Sequence, residues 1–177
     1  RDTFDMLDQI GVTMIPKSFS VGARIEHLQS DLDKAMYREF AGHPNLPPAE
    51  YQLSHREGER AAYTFCMCPG GQVVAAQSGD GQVVTNGMSY HARDMKNANS
   101  AFVVSVSADD FGGSWRDGVN FQKKLEYSAF VAGRSNYTAP CMTVGALLGN
   151  PQKSSVTPSY PLGVTEYPID QLFPPQV

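Results

Sequence analysis

Residues 61–92 constrain the fold more than any other part of this 177-residue sequence. The stretch contains three runs rich in Val, Tyr, Phe and Thr, which favour strands. Gly- and Pro-rich tripeptides that favour turns separate the runs. Runs and turns alternate as 61–68, Pro69-Gly70-Gly71, 72–77, Gly79-Asp80-Gly81 and 82–90. This order predicts a three-stranded meander, in which each strand pairs with the next.

The same stretch carries almost no charge. Among its 32 residues only Asp80 is formally charged, and among the 31 residues 135–165 only Lys153 is. An average sequence has about eight charges in a stretch of this length. Two interpretations stay open, because strands buried on both faces are poor in charge and so are the centres of interfaces covered by a partner domain or ligand.

Periodicity and turn residues predict both helices and strands in the rest of the chain. Helices are predicted for residues 2–10, between Ser30 and Gly42, from Asp117 or Asn120 to Ala132, and from Pro140 to Leu148. Strands are predicted for residues 12–15, 19–25 and 101–106, and a loop for residues 43–50. Runs of strands with flanking helices predict an α+β fold, with a mainly antiparallel sheet that can curl into a barrel.

The length is typical of a single domain. We expect one α+β domain in residues 1–149. Residues 150–177 hold six of the twelve prolines and are expected to wrap around the domain or link it onward.

The net charge of −4 argues against a nucleic-acid module, which needs a basic face. No apolar run is long enough for a membrane span, and three cysteines favour a cytoplasmic protein.

The short motifs of common enzyme sites are missing. The sequence contains no G-x-G-x-x-G, no G-x-x-x-x-G-K-[ST], no H-E-x-x-H and no G-x-S-x-G. The chain is therefore not predicted to bind a dinucleotide or to hydrolyse an ester by itself.

Cys66 and Cys68 flank a single methionine. In a strand, their side chains would face the same side about 6.6 Å apart, so a disulfide between them would be strained and easily reduced. Both can instead be small buried residues, the commoner role of free cysteine. A zinc site with Cys141 and one of His27, His43, His55 or His91 is disfavoured by the C-x-C spacing, and we predict no metal.

Several polar residues lie where a ligand can reach them. Pro69-Gly70-Gly71 exposes backbone N–H groups that a planar ligand can approach, and such donors can stabilise a reduced flavin. His27 can act as a general acid, at the end of a strand in which Arg24 and Glu26 share a face and can pair. A second candidate group, on the substrate side, comprises Asn86, Met88, Tyr90, Arg93 and Asn99.

Several strings of the sequence together resemble one family. They are R-D-T-F at 1–4, V-G-A-R-I-E-H at 21–27, Y-T-F-C-M-C-P-G-G-Q-V at 63–73, V-T-N-G-M-S-Y at 84–90, Arg93, N-A-N-S-A at 97–101 and F-Q at 121–122. The family is a group of bacterial FAD-dependent dehydrogenases, often labelled NAD(FAD)-utilizing dehydrogenases. The resemblance covers nearly the whole chain, with one departure at Leu28, where we expect Pro.

The resemblance implies that FAD is bound mainly by a Rossmann-like domain that is split in sequence and absent from this chain. This chain then corresponds to the inserted substrate-side domain, inactive alone, of an enzyme that transfers hydride between FAD, NAD(P)H and a small molecule. The residues implied to face the flavin are Cys66, Met67, Cys68, Pro69, Gly70 and Gly71. Cys66, Cys68 and His27 are the candidates for a catalytic role. The partners expected are the rest of the polypeptide and a small molecule, without nucleic acid or membrane.

Two other hypotheses stay open. The charge-poor surface of residues 61–92 can make the chain a stand-alone module that binds a ligand or a protein. Cys66, Cys68 and Cys141 can form a thiol redox or metal site.

Overall fold

An open antiparallel sheet of four strands forms the centre of the fold. The computed structural model describes residues 1–151, 154, 156–175 and 177. The strands are β1 (Phe19–Leu28), β2 (Ser54–Glu57), β3 (Arg60–Cys68), β4 (Gly71–Ala75), β5 (Thr85–Ser89), β6 (Asn97–Val106), β7 (Ala139–Cys141) and β8 (Val164–Glu166). The helices are α1 (Asp2–Gln9), α2 (Gln29–Tyr37), α3 (Ala108–Phe111), α4 (Trp115–Ala132) and α5 (Val144–Leu147), with 3-10 helices at Arg38–Phe40 and Ile169–Leu172.

The four strands of the central sheet lie in the order β1-β6-β3-β2. β1 pairs with β6 along its whole length, from Phe19 opposite Val106 to Leu28 opposite Asn97. The predicted α+β class with a mainly antiparallel sheet is confirmed. β1 and β2 are free edges, so within the described residues the sheet does not close into the barrel that the sequence allowed. The short pair β7 and β8 is parallel.

The predicted meander is wrong in its first strand. β4 and β5 pair with each other as predicted, but in a separate two-stranded sheet. β3 pairs instead with β2 and β6. The physical reason lies in the turn after β3, where the Gly70 N–H donates to the side chain of Gln29 and the Gly70 carbonyl accepts from the Met95 N–H. The turn is thus bound to other parts of the chain and does not close a hairpin.

Two further local predictions are wrong. Residues 12–15 lie outside any strand, and Pro140 lies in β7, so it does not open a helix. The short helix α5 begins after Thr143, whose hydroxyl accepts a hydrogen bond from the Ala146 N–H at 3.1 Å. The Thr143 hydroxyl satisfies an N–H that has no partner within the helix at its start. Pro140 lies in the preceding strand and does not cap the helix.

The longest helix, α4, is found where the sequence predicts it. It begins at Trp115, slightly before the predicted start, because Ser114 and Asp117 form a capping box at its N-terminus. Phe121 of this helix and Phe111 of α3 both pack on Phe19 of β1, with ring centroids 6.1 and 5.2 Å away. These aromatic contacts hold α3 and α4 against one end of the central sheet.

The Pro-rich segment contributes to the core. Tyr160 packs with Val73, Val83 and Ala139 in the buried hydrophobic cluster. The Ser159 hydroxyl accepts from the Val73 N–H at 2.8 Å, and the Ser159 N–H donates to the carboxylate of Glu26. The described part of residues 150–177 is therefore bound to β4 and β1. That the segment also links to another domain stays a prediction.

The surface of the chain is large for its mass. The accessible surface is 11283 Å², whereas a folded monomer of 19.3 kDa is expected to expose roughly 8,500 Å². Large apolar side chains contribute to the excess, including Ile15, Phe65, Phe102 and Leu148. No helix in the described part of the chain is long and apolar enough to cross a membrane.

Candidate functional site

The candidate site begins at a β-bulge near the end of β3. The register of β3 against β6 shifts between Phe65 and Cys68, and Cys66 has a positive φ of 52°. Such a backbone is uncommon for a residue with a side chain and occurs often at functional sites. The bulge leaves Cys66 exposed while Cys68 is buried, and it aims the Cys66 carbonyl oxygen at β1.

Arg24 of β1 receives that carbonyl. Its Nη2 donates to the Cys66 carbonyl oxygen at 2.7 Å and lies 3.8 Å from the Cys68 Sγ. Its Nε donates to the Asn99 Oδ1 at 2.8 Å and its Nη1 to the Asn86 Oδ1 at 3.1 Å. Three separate parts of the sequence therefore supply acceptors to one guanidinium.

Among the described residues, Arg24 forms no ion pair with a carboxylate. Within the described residues, the ion pairs of arginine involve Arg1, Arg60, Arg93 and Arg116, and Arg24 is in none of them. Its hydrogen-bonding partners are all uncharged. Burial lowers the pKa of Arg24, so the folded protein keeps this cation at a cost. A half-buried charge without a charged partner is uncommon in a structural role.

Gly87 is required beside this cluster. A Cβ at this position would lie 2.1 Å from the Asn99 Oδ1 and 2.4 Å from the Arg24 Nη2. The glycine in the N-G-M-S-Y string thus allows β5 to pass close to the guanidinium.

Arg24 and Glu26 do not pair with each other, contrary to the sequence prediction. The Glu26 Oε1 accepts from the Asn97 Nδ2 at 2.8 Å, and both carboxylate oxygens accept from the Ser159 N–H. Glu26 therefore holds the Pro-rich segment in place, which leaves the arginine uncompensated.

The turn Pro69-Gly70-Gly71 is buried. The Gly70 N–H donates to the Gln29 Oε1 at 2.8 Å, and the Ser89 hydroxyl donates to the Pro69 carbonyl at 2.6 Å. Gly70 has a φ of 47°, and a Cβ there would lie 1.8 Å from the carbonyl oxygen of Arg93. The Gly70 N–H is thus used inside the domain, so it is not available as a donor to a ligand.

A cleft of about 530 Å³ opens beside Cys68. The end of β3 (residues 67–69) forms one wall and the end of β5 (residues 89–91) another, and Glu50 and Arg93 complete the lining. The Arg93 Nη1 lies 2.6 Å from the Glu50 Oε1, and both side chains are about half exposed. We call this space the Arg93 cleft. Its volume is typical of a small-molecule site.

The Cys68 and Cys141 thiols give little support to the redox hypothesis. All three cysteines are free. Burial raises the pKa of the Cys68 thiol, and the Arg24 guanidinium opposes this only in part. Burial also raises the pKa of Cys141, with a contribution from Glu166. Both groups therefore favour the protonated form, which is the less nucleophilic one. Within the described residues no group of three or more His, Cys, Asp or Glu could hold a metal ion.

Comparison with known proteins identifies the family. The sequence model of the family described as "FAD-dependent protein, C-terminal domain-like" matches residues 18–177. The chain belongs to this family. It is also 44% identical over 183 residues to an uncharacterized protein of Clostridium beijerinckii, a match that covers the whole chain but 34% of that protein. The predicted link to an FAD-dependent family is confirmed, and the narrower dehydrogenase label stays a prediction.

The residues predicted to face flavin in this FAD-dependent family domain differ in exposure. Cys66 is exposed and Met67 is partly exposed, whereas Cys68, Pro69, Gly70 and Gly71 are buried. Met67, Cys68 and Pro69 line the Arg93 cleft. Direct contact with a ligand is therefore possible for the first part of the string, while Gly70 and Gly71 shape the turn behind it.

The substrate-side residues also separate into groups. Tyr90 and Arg93 line the cleft, and Asn86 holds Arg24. Asn99 is 0% exposed, and its Oδ1 accepts from the Arg24 Nε. Met88 lies in β5, opposite Gln72 of β4.

His27 lies apart from the Arg93 cleft. Its Nε2 is 3.0 Å from the Tyr51 hydroxyl, and the two rings pack with centroids 5.5 Å apart. His27 is not among the residues that line the cleft. His27 therefore contacts Tyr51 and does not line the cleft, and its use as a general acid stays a prediction.

The sequence interpretation missed two residues that organise the site, Arg24 and Gln29. Arg24 was noted only as a partner for Glu26, and Gln29 was not noted at all. The available signal for Arg24 was a cation in the middle of a strand pattern within one of the family strings. Gln29 gave no signal, because its role depends on contacts with residues 20 and 41 positions away.

Proposed function

We propose that this domain forms the substrate-side wall of an FAD-dependent oxidoreductase, in which hydride passes between the flavin and a small molecule. The family description supports an association with FAD. Because the chain spans about a third of the Clostridium relative, the rest of such a polypeptide leaves room for an FAD-binding domain. By this proposal the chain is inactive alone. NAD(P)H as electron donor and a cytoplasmic location stay predictions from the sequence.

Arg24 carries the proposal. When bound, FAD supplies a ring system that exchanges hydride and becomes negatively charged on reduction. Arg24 fits such a group because its positive charge is fixed by four contacts and lacks a carboxylate partner among the described residues. A guanidinium has five N–H donors, so one donor of Nη1 is left for a ligand.

The surroundings of Arg24 also suit a flat ring. Phe65 precedes the bulge and is 63% exposed, and Cys66 is exposed beside it. An exposed aromatic side chain offers a face for stacking. Arg24 is then proposed to hold negative charge near the ring, while Asn86 and Asn99 fix the orientation of its guanidinium.

The test is the midpoint potential of the flavin in the full-length polypeptide with FAD bound. Arg24→Gln removes the charge but keeps hydrogen-bonding capacity. A positive charge stabilises the reduced form, so its loss is expected to make the potential more negative by about 30 mV or more, a tenfold change for a two-electron couple. Arg24→Lys keeps the charge and is expected to shift the potential less.

Arg116→Gln is the matched control. Arg116 lies on α4 and pairs with Asp5 and Asp8 at the surface, so its loss changes the net charge equally without removing a charge from the candidate site. An Arg24→Gln protein that binds FAD with the wild-type potential would contradict the proposed role of Arg24. A full-length protein that holds no FAD would contradict the proposed function as a whole.

A further inference from the structure

We propose that the Arg93 cleft binds the carboxylate of a small organic acid with a flat apolar body, and that Glu50 competes for the same position on Arg93. This inference rests on the proposed function, because it names the class of substrate that the oxidoreductase would accept. It is carried by the arrangement of charge in the cleft and by the buried framework behind it.

Charge in the cleft is concentrated on one pair of side chains. The two walls come from the charge-poor stretch 61–92, and the formal charges of the lining belong to Glu50 and Arg93. The side chains are 53% and 47% exposed. Exposed ion pairs contribute little to stability, so another carboxylate can displace Glu50 at small cost.

A buried framework nevertheless holds the two charged residues in place. Gln29 is 7% exposed, and its Nε2 donates to the carbonyl oxygen of Ala49, the residue before Glu50. Its Oε1 accepts from the Gly70 N–H, and Gly70 packs against the backbone of Arg93. A single buried amide therefore connects both sides of the pair.

The backbone of Arg93 has an uncommon conformation. Its φ is 52°, in the left-handed region that residues with a side chain seldom adopt. Its N–H closes a turn on the Tyr90 carbonyl, and its carbonyl oxygen lies where a side chain at position 70 would be. Gly70 thus permits the position of Arg93, which an ordinary surface arginine would not require.

The chemistry of the lining specifies the ligand. The guanidinium presents a planar fork that matches a carboxylate with two parallel hydrogen bonds. Its recorded partner, Glu50, uses one terminal nitrogen. Tyr90 and Met67 add an aromatic ring and a thioether, which favour a flat apolar body.

The cleft also adjoins the proposed flavin-facing cluster. Cys68 lines the cleft, and its Sγ lies 3.8 Å from the Arg24 Nη2. A ligand whose carboxylate binds Arg93 would thus extend its body towards Cys68 and Arg24. This order places the acid group away from the reacting part of the molecule.

The test is calorimetric titration of the full-length polypeptide with benzoate, and with benzamide as its uncharged analogue. Benzoate is expected to bind wild-type protein more tightly than benzamide does. Arg93→Gln is expected to weaken benzoate binding about tenfold or more. Glu50→Gln, which removes the competing carboxylate, is expected to tighten it about two- to fivefold.

Glu57→Gln is the matched control, because Glu57 is exposed at the end of β2 and its loss changes the net charge equally. Its affinity for benzoate is expected to equal that of the wild type. The proposal is overturned if Glu50→Gln and Glu57→Gln behave alike, if Arg93→Gln keeps the wild-type affinity, or if benzoate and benzamide bind equally or not at all. These readouts need no flavin chemistry, so failure here is distinguishable from failure of the Arg24 potential test.

Discussion

The sequence places Arg24 two residues before Glu26, on one face of a predicted strand, where the two side chains can pair. The folded chain separates them, because Asn97 and Ser159 occupy the carboxylate of Glu26 while uncharged acceptors surround Arg24. Ser159 is 133 residues away from Glu26 in sequence. No local pattern could show that this distant N–H would take the place of the nearby arginine.

A second single residue, Gly70, gives a prediction on stability. Gly70→Ala adds a Cβ that would lie 1.8 Å from the Arg93 carbonyl oxygen, in a backbone with φ 47°. Gly58→Ala is the matched control, because Gly58 has a similar φ of 58° but nothing within 4 Å of the added Cβ. Both variants share the left-handed strain, and Gly70→Ala is expected to lose about 1 to 3 kcal/mol more.

Urea unfolding of the two variants of the chain measures this difference. Equal losses of unfolding free energy would mean that the backbone of Arg93 moves freely. The buried framework proposed for the cleft would then not be rigid.

Among the elements, β3 departs most from its sequence prediction. Its residues form a strand as predicted, since strand propensity is local, but its neighbours are β2 and β6 and not β4. The bulge at Cys66 and the hydrogen bonds of Gly70 redirect the chain after the strand. Pairing was therefore decided by contacts at long sequence distance, which turn residues alone do not encode.

The ion pair between Arg60 of β3 and Asp110 of α3 gives a prediction on how stability depends on pH. The Arg60 guanidinium, with further hydrogen bonds from Ser107, holds the pKa of Asp110 below its usual value. A depressed pKa in the folded state means that this stabilisation is present above the unfolded pKa of about 3.9 and is lost as the pH falls through the folded value. We expect Asp110→Asn to destabilise the chain at neutral pH and to differ less from wild type as the pH falls below about 4.

Thermal melts of the wild type and of Asp110→Asn, from pH 7 downwards, measure the difference in stability between them. Asp109→Asn, which removes an exposed carboxylate of the same helix, is the control and is expected to show a smaller effect. If the stability difference between wild type and Asp110→Asn stayed constant across the acid range, the ionised form of Asp110 would not be stabilising.

For the whole molecule, the main feature is surface that the chain does not bury itself. The chain exposes about 2,800 Å² more than a compact monomer of its mass is expected to expose. This agrees with a chain that spans about a third of its Clostridium relative. That a partner domain covers part of the charge-poor stretches stays a prediction.

Hydrogen exchange tests whether the rest of the polypeptide covers part of this exposed surface. Residues 12–18 lie outside helices and strands, and Ile15 among them is 81% exposed. If the rest of the polypeptide covers this apolar segment, its amides are expected to exchange more slowly in the full-length protein than in the chain alone. The exposed charged strand β2 serves as the internal control and is expected to exchange equally in both. Equal rates for residues 12–18 would show that this segment is not part of an interface.

By itself the sequence determined the fold class, most helices and strands, the family, and the short strings that build the site. These follow from periodicity, turn chemistry and motif identity, all of which are local properties. Only the tertiary structure decided which strands pair, that uncharged acceptors surround Arg24, and that Gln29 connects Glu50 to Arg93 through Ala49 and Gly70. Those outcomes depend on which distant N–H, carbonyl or carboxylate reaches a given side chain, and hydrogen bonds form between groups that are close in space wherever they lie in the sequence.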